Sequence, residues 1–325
     1  MFNAITDVPG IKVGHASDLK GYTGCTVILC EEGAVCGIDV RGSASGTRQI
    51  DALSVGHIVE EVHAIILAGG SSFGLDAAGG VTRYLEEKGI GFDVGVAKIP
   101  IVPSAVIFDL GFGAQSRPTP EMGYQACASA AFQVEEGSVG VGTGATVGKI
   151  FDSARAMKGG VGTCSIAMPD GLKIAALVVV NAFGDIIDNV TGKIIAGVRK
   201  SEDSLEFAGT VKQIKEGIVK KQFAITNTTL GVVATNARFN KKEITKVAQM
   251  AQGGLIKTIS PVHTTFDGDL VFALATGERE TDINKAGVLA EFVIAEAIKR
   301  AVKKADGFGI VPGFRDIAKG WKLRQ

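Results

Sequence analysis

The longest uninterrupted apolar run in the chain, Ile174 to Val180, is seven residues long and stops at Asn181. That is far short of the ~20 residues a membrane-spanning helix needs, and it suits a strand buried on both faces. CTVILC, AIILAG, GTCSIAM, TLGVVATNA and LVFALATG are runs of the same kind. Helical patterns separate them, near Leu75–Lys88, Glu121–Val134, Glu202–Glu216, Lys241–Gln252 and Asp282–Lys304. Asn240 followed by Glu243 spells a capping box, and Ile244, Val247, Ala248, Ala251 and Leu255 then recur on one helical face. Thr281 and Asp282 can cap the last helix, where Leu289, Phe292, Val293, Ala297 and Ala301 form a second stripe. Lys299, Arg300, Lys303 and Lys304 read as the solvated side and last turn of that helix.

The pattern predicts an α/β protein, with 44 glycines supplying tight turns between layers. At 325 residues the chain sits at the upper edge of one domain. No low-complexity linker divides it, so residues 1–325 are expected to form a single unit, with Lys220–Asn227 as the one candidate break. Lys plus Arg and Asp plus Glu balance at 34 each, so no net field draws the protein to nucleic acid or to an anionic membrane. A small molecule is the expected partner. Five cysteines without a CxxC pair read as buried apolar side chains rather than a disulfide framework. Residues 1–20 show neither a basic start nor an apolar signal core, so a cytoplasmic protein is expected.

Three motifs invite functional readings. Gly140–Lys149, GVGTGATVGK, resembles a phosphate loop, but Thr143 and Ile150 stand where a Walker loop needs Gly and a hydroxyl. Close backbone packing, or a cradle for a substrate group at Gly144, fits it better. Gly70–Gly74 matches G-x-S-x-G between a strand-like run and a helix, which makes Ser72 a candidate nucleophile with His263 as base and Asp185 or Asp188 as orienter. The alternative is a serine-lined turn, Ser71 and Ser72, that faces a substrate. His15, His57, His63 and His263 lack metal-binding spacing, so no metal is expected.

Asn227–Ala237, NTTLGVVATNA, offers different chemistry: an Asn-Thr bond at the mouth of a strand. If that bond breaks, Thr228 gains an α-amine beside its own hydroxyl, and the amine can take the hydroxyl proton. An unperturbed α-amine titrates at about 7.7–8.0, close to what a general base requires. The base then comes with the nucleophile and no cofactor is needed. On spacing alone the same residues also read as a polar turn entering a strand.

Across its length the sequence resembles the self-processing aminopeptidase family that includes DmpA, an L-aminopeptidase with D-amidase and D-esterase activity, and the β-peptidyl aminopeptidases. The resemblance rests on ITDVPGIKVGHASD, GIDVRGSASGTRQIDAL, AGGSSFGLDAAGGV, GVGTGATVGK, LVVVNAFGDI, NTTLGVVATNA and HTTFDGDLVFALATG taken together. It implies the four-layer αββα sandwich of N-terminal-nucleophile hydrolases, shared with ornithine acetyltransferase. It further implies self-cleavage between Asn227 and Thr228 into fragments 1–227 and 228–325, Thr228 as nucleophile, and a homotetramer of processed protomers acting on small peptides, amides or esters. Asn181 matches the family's oxyanion donor, and Asp267 and Asp269 match the pair that orients the nucleophile. Without the resemblance, Asp267-Gly268-Asp269 reads as a hairpin turn. The best-known members carry Ser where this chain has Thr228, and Ser-x-Glu where it has the two aspartates. Phe108 offers no hydroxyl near the place of the family's tyrosine donor, which leaves a second oxyanion donor to be found, with a backbone N–H as one candidate. A Ser72 hydrolase, an acyltransferase of the ornithine acetyltransferase type, and an unprocessed non-catalytic homologue remain as alternatives.

Overall fold

A computed structural model describes residues 1–218 and 227–317 of the chain. Nine strands form its main sheet: β1 (Lys12–Asp18), β2 (Thr23–Val40), β3 (Thr47–Arg48), β4 (Glu61–Ala68), β5 (Ser104–Val106), β6 (Gly160–Ala167), β7 (Lys173–Asn181), β8 (Thr228–Ala237) and β9 (Leu270–Arg279). Their order is β6-β7-β8-β9-β2-β4-β5-β3, with β1 on β2. The principal helices are α1 (Ala77–Glu87), α2 (Pro120–Ala128), α3 (Thr210–Lys215), α4 (Lys241–Thr258) and α5 (Ile283–Lys303).

The alternation of side chains along each strand shows how one sheet makes two layers. Leu177, Val179, Leu230, Val232 and Phe272 point into a central core, where they meet Ile28, Cys30, Ile65 and Leu67. Their neighbours Val178, Val180, Val233, Val271 and Ala273 point the other way, onto Ile244, Val247, Ala248 and Leu255 of α4 and Val293, Ile294 and Ile298 of α5. On the far side, Val27, Leu29, Ala64 and Ile66 pack against Ala77, Val81 and Leu85 of α1 and Ala126 of α2. The sequence of layers is therefore helix, sheet, sheet, helix. Strand β2 joins the two sheet layers: Cys25–Leu29 pairs with β4, Val35–Val40 pairs with β9, and the register breaks between Leu29 and Ala34, where Gly33 turns through a φ of +90°.

Asn240 caps α4 in a reciprocal box with Glu243, and Asp282 caps α5, as their spacing predicts. All five cysteines are buried thiols. Three expectations need correction. The helix expected over Glu202–Glu216 forms only from Thr210 to Lys215, because Gly209 holds a φ of +79° and the buried Arg199 draws the carbonyls of Glu202 and Ser204 to its guanidinium. Helix α2 stops at Ala128, since Ala131 turns to pair with Val13 of β1. Lys299 is buried and pairs with Glu296, and the half-buried Arg300 grips Glu136 through two nitrogens at 2.9 and 2.6 Å rather than pointing freely into solvent. The candidate break at Lys220–Asn227 lies outside the described residues except for Asn227.

Candidate active site

Thr228 opens β8, the strand between β7 and β9. The antiparallel register of β7 with β8 places Asn181 directly opposite Thr228. The parallel pairing of β8 with β9 brings the approach to β9, residues 267–269, alongside the approach to β8, and Asn227 bridges Asp267. No hairpin forms at Asp267-Gly268-Asp269, because β9 pairs with β8 and β2 while Ile259–Ser260, the strand that precedes the turn, pairs with Asp185–Ile187 instead. Thus Asn181, Asn227, Thr228, Asp267 and Asp269 converge by sheet register alone, and each is at most 3% exposed.

The contacts are specific. Thr228 Oγ1 donates to the carbonyl oxygen of Asn227 at 2.5 Å, and the Gly268 N–H donates to the same oxygen at 2.7 Å. Asn227 N–H is tied to Phe266 O at 2.9 Å. Asp269 Oδ1 accepts the Thr229 N–H at 2.7 Å, and its Oδ2 accepts the backbone N–H and Nδ1 of His263 at 3.0 and 3.1 Å. Asp267 Oδ1 accepts the Phe183 N–H at 3.1 Å, while its Oδ2 takes both the N–H and the hydroxyl of Thr264. Burial, and then the nearby charge of Asp269, pushes the Asp267 carboxyl up to about 6. Above the dyad, Arg41 and Gly42 donate to Asp269 O and Ala44 donates to Asp267 O, so residues 41–46 cover the aspartates. Gly268 has no room for a side chain, since a Cβ would come within 2.9 Å of Thr228 Oγ1.

Asn181 Oδ1 accepts from Thr146 N–H at 3.0 Å and Lys149 Nζ at 2.7 Å, and Lys149 Nζ also reaches Asn181 O at 3.0 Å. Its Nδ2 donates to Phe108 O at 3.0 Å, so Phe108 contributes to the site through its backbone. A small cavity of about 90 Å³ opens beside these groups, lined by Phe108, Asp109, Phe112, Gly144, Thr146 and Lys149. Gly144 is therefore a wall residue of that cavity. The loop that supplies it is held by the buried Lys158, whose Nζ donates to the carbonyls of Gly142, Ala145 and Gly159 at 2.6, 2.8 and 3.1 Å. Burial brings Lys158 down to about 7 against the opposing pull of Asp109 and Asp306, and burial pushes Asp109 up to about 6. A wider groove of about 570 Å³ lies at the other end of β8 and β9, lined by Arg238, Phe239 and Glu280, away from Thr228.

Ser71 and Ser72 stand on the turn after β4. Among the described residues no hydrogen bond joins either side chain to Thr228 or to His263. The nearest link runs through residues 42–46, since a Cβ on Gly46 would lie 3.6 Å from Ser72 Oγ. The triad imagined around Ser72 is not assembled: His263 meets Asp269, Asp185 accepts from Thr210 and Val198, and Asp188 accepts from Val190 and Thr191. Reading the sequence missed Gly268, Lys149 and Thr264 as members of the Thr228 cluster, and gave His263 a different partner. Each lies in a quoted motif, but only side-chain geometry gives it a role.

The family model for peptidase family S58 matches residues 3–310. An uncharacterised aminopeptidase of Mycobacterium tuberculosis is 40% identical over 98% of each chain. A 6-aminohexanoate-oligomer endohydrolase of Kocuria sp. is 32% identical over 91% of this chain and 85% of that one. The L-aminopeptidase D-Ala-esterase/amidase of Ochrobactrum anthropi, described as a variant of the Ntn hydrolase fold, superposes with a TM-score of 0.70 over 99% of this chain and 95% of its own, at 16% identity. A family match across nearly the full length, with a relative of the same extent and a shared layered fold, places the chain in peptidase family S58, as a hydrolase with the N-terminal-nucleophile fold.

Proposed function

We propose that this enzyme cleaves its own Asn227–Thr228 bond and then works as an aminopeptidase with Thr228 as nucleophile. One observation carries the reading: the Thr228 hydroxyl and the Gly268 N–H both meet the carbonyl oxygen of Asn227. In the first step Oγ1 attacks that carbonyl carbon, and negative charge develops on the oxygen that Gly268 already contacts. The C–N bond then breaks, Thr228 nitrogen takes a proton, and an ester joins Asn227 to Oγ1. Water hydrolyses the ester, leaving a carboxylate on Asn227 and a free amine on Thr228.

The same hydroxyl then serves substrates. The amine accepts the Oγ1 proton, Oγ1 attacks the substrate carbonyl, and the proton passes to the departing amine or alcohol. Water resolves the acyl-enzyme. Asp269 fixes the first peptide of β8 through Thr229 N–H, and the buried Asp267 carboxylate balances the new ammonium. Asn181 donates to the substrate oxyanion through Nδ2, with Lys149 and Thr146 holding its Oδ1 end. Small peptides, amides and esters are the substrate class, and the cavity beside Gly144 takes the acyl side. The relative that hydrolyses 6-aminohexanoate oligomers favours a second reading of the substrate, an interior amide between ω-amino acyl units. The working form is a tetramer of processed single-domain protomers in the cytoplasm.

Sequencing the N-terminus of the small fragment tests the reading. Thr-Thr-Leu-Gly-Val is expected, and Thr228→Ala is expected to remain one inactive chain. Wild-type enzyme that turns over aminoacyl amides while unbroken at 227–228 overturns it. A panel of aminoacyl amides against 6-aminohexanoate oligomers separates the two substrate readings.

A further inference from the structure

His263 is one of six non-glycine residues with positive φ among the described residues, at +56°. That backbone is unusual for a histidine, and it aims two donors of one residue at a single carboxylate oxygen. The next residue does the same: Thr264 turns its N–H and its hydroxyl onto Asp267. Two consecutive residues thus grip the two buried carboxylates separately, His263 on Asp269 and Thr264 on Asp267. Both aspartates are also held through their backbone carbonyls, Asp269 by Arg41 and Gly42 and Asp267 by Ala44. With one carboxylate oxygen taken by His263, the other faces the Thr229 N–H, one peptide from the nucleophile.

The ring itself shows that filling space is not its purpose. Nδ1 meets Asp269 Oδ2, while Nε2 is a buried ring nitrogen without a hydrogen-bond partner. An orphan of this kind is a net cost that a leucine or phenylalanine would avoid. Nδ1 must offset it.

We propose that His263 is a positioning residue for the Thr228 chemistry, acting through Asp269 to fix the start of β8. This rests on Thr228 being the nucleophile. The charged neighbour of the His263–Asp269 pair is Asp267.

The test compares His263→Asn, His263→Gln and His263→Gly by the rate of self-cleavage and by kcat and KM on an aminoacyl p-nitroanilide. Asn sets an amide nitrogen as many bonds from Cα as Nδ1 and tolerates positive φ; Gln reaches one bond further; Gly keeps the backbone and removes the donor. Removing a hydrogen bond to a charged group predicts a loss of about ten- to a hundredfold in cleavage rate and kcat for the Gly and Gln variants, with KM unchanged. The Asn variant is expected to return to within about threefold. Wild-type rates in His263→Gly, or equal rescue by Asn and Gln, overturn the proposal. If His263→Gly does not fold, the Asn and Gln pair decides. Thr228→Ala run in parallel separates the failures: if it still cleaves itself and turns over substrate, the Thr228 reading falls, whereas an inert Thr228→Ala beside an unaffected His263 series sinks only the role of His263.

Discussion

Replacing Gly268 with alanine probes the proposed scission between Asn227 and Thr228 at a crowded point. A Cβ there would stand 2.7 Å from Ala44 O and 2.9 Å from both Ser45 Cα and Thr228 Oγ1, all inside van der Waals contact. Two of those three neighbours are backbone atoms of residues 44 and 45, so the added methyl must shift the backbone around residue 268 rather than be absorbed by a flexible side chain. The N–H···O contact of 2.7 Å to the Asn227 carbonyl then lengthens. Losing one oxyanion donor costs about 10²–10³ in rate, or about 2.7–4 kcal/mol of barrier, so Gly268→Ala is expected to slow scission at least about a hundredfold. Cell-free synthesis with labelled methionine follows the event directly, since Met250 reports the small fragment and Met122, Met157 and Met168 report the large one. The 33.6 kDa band should give way to bands of about 23 and 10 kDa in the wild type and persist in the variant. Melting curves of Thr228→Ala with and without Gly268→Ala show whether the fold has survived. Wild-type processing in a folded Gly268→Ala chain refutes the donor role of that N–H.

Two further outcomes follow from buried charge. Burial pushes Asp267 up to about 6 in the intact chain and a Thr228 ammonium beside it pulls it back down, so its negative charge is lost as pH falls and kcat/KM should drop on the acid side at or below about 6. Asp267→Asn should give lower activity with that limb absent; an unchanged acid limb would count against the assignment. For stability, Lys158→Met strips the donor from three buried carbonyls and should cost about 3–5 kcal/mol in urea unfolding of the unprocessed Thr228→Ala chain. With the folded value of Lys158 lowered to about 7, the unfolded chain binds the extra proton between there and the ordinary 10.5, so this group's contribution to stability rises with pH across that window. The rise should vanish in Lys158→Met.

Much of the scaffold could be read from local pattern, because the relevant physics is local. Lys173–Asn181 is apolar on both faces since it lies between two cores, and Asn240 and Glu243 cap α4 using atoms three residues apart. The failures have non-local causes. Arg199 overrides the propensity of Glu202–Glu216 by drawing in carbonyls from two segments, and the passage of β2 between layers depends on partners far apart in sequence. At the site, the chemical promise of Thr228 lies in its own atoms. That Asn181 faces it is a fact of register between β7 and β8, which no window along the chain contains. The placement of Lys149 on Asn181 and of His263 on Asp269 lies further out of reach, because it requires rotamers as well as register.

The strand order has a consequence for any cut before Thr228. Strands β8 and β9, both beyond the cut, are threaded between β7 and β2, which both precede it. The later segment also carries α4 and α5, one whole outer layer. Neither piece can leave without unzipping two seams of backbone hydrogen bonds and wetting an entire apolar interface, so a severed polypeptide would still be one indivisible body.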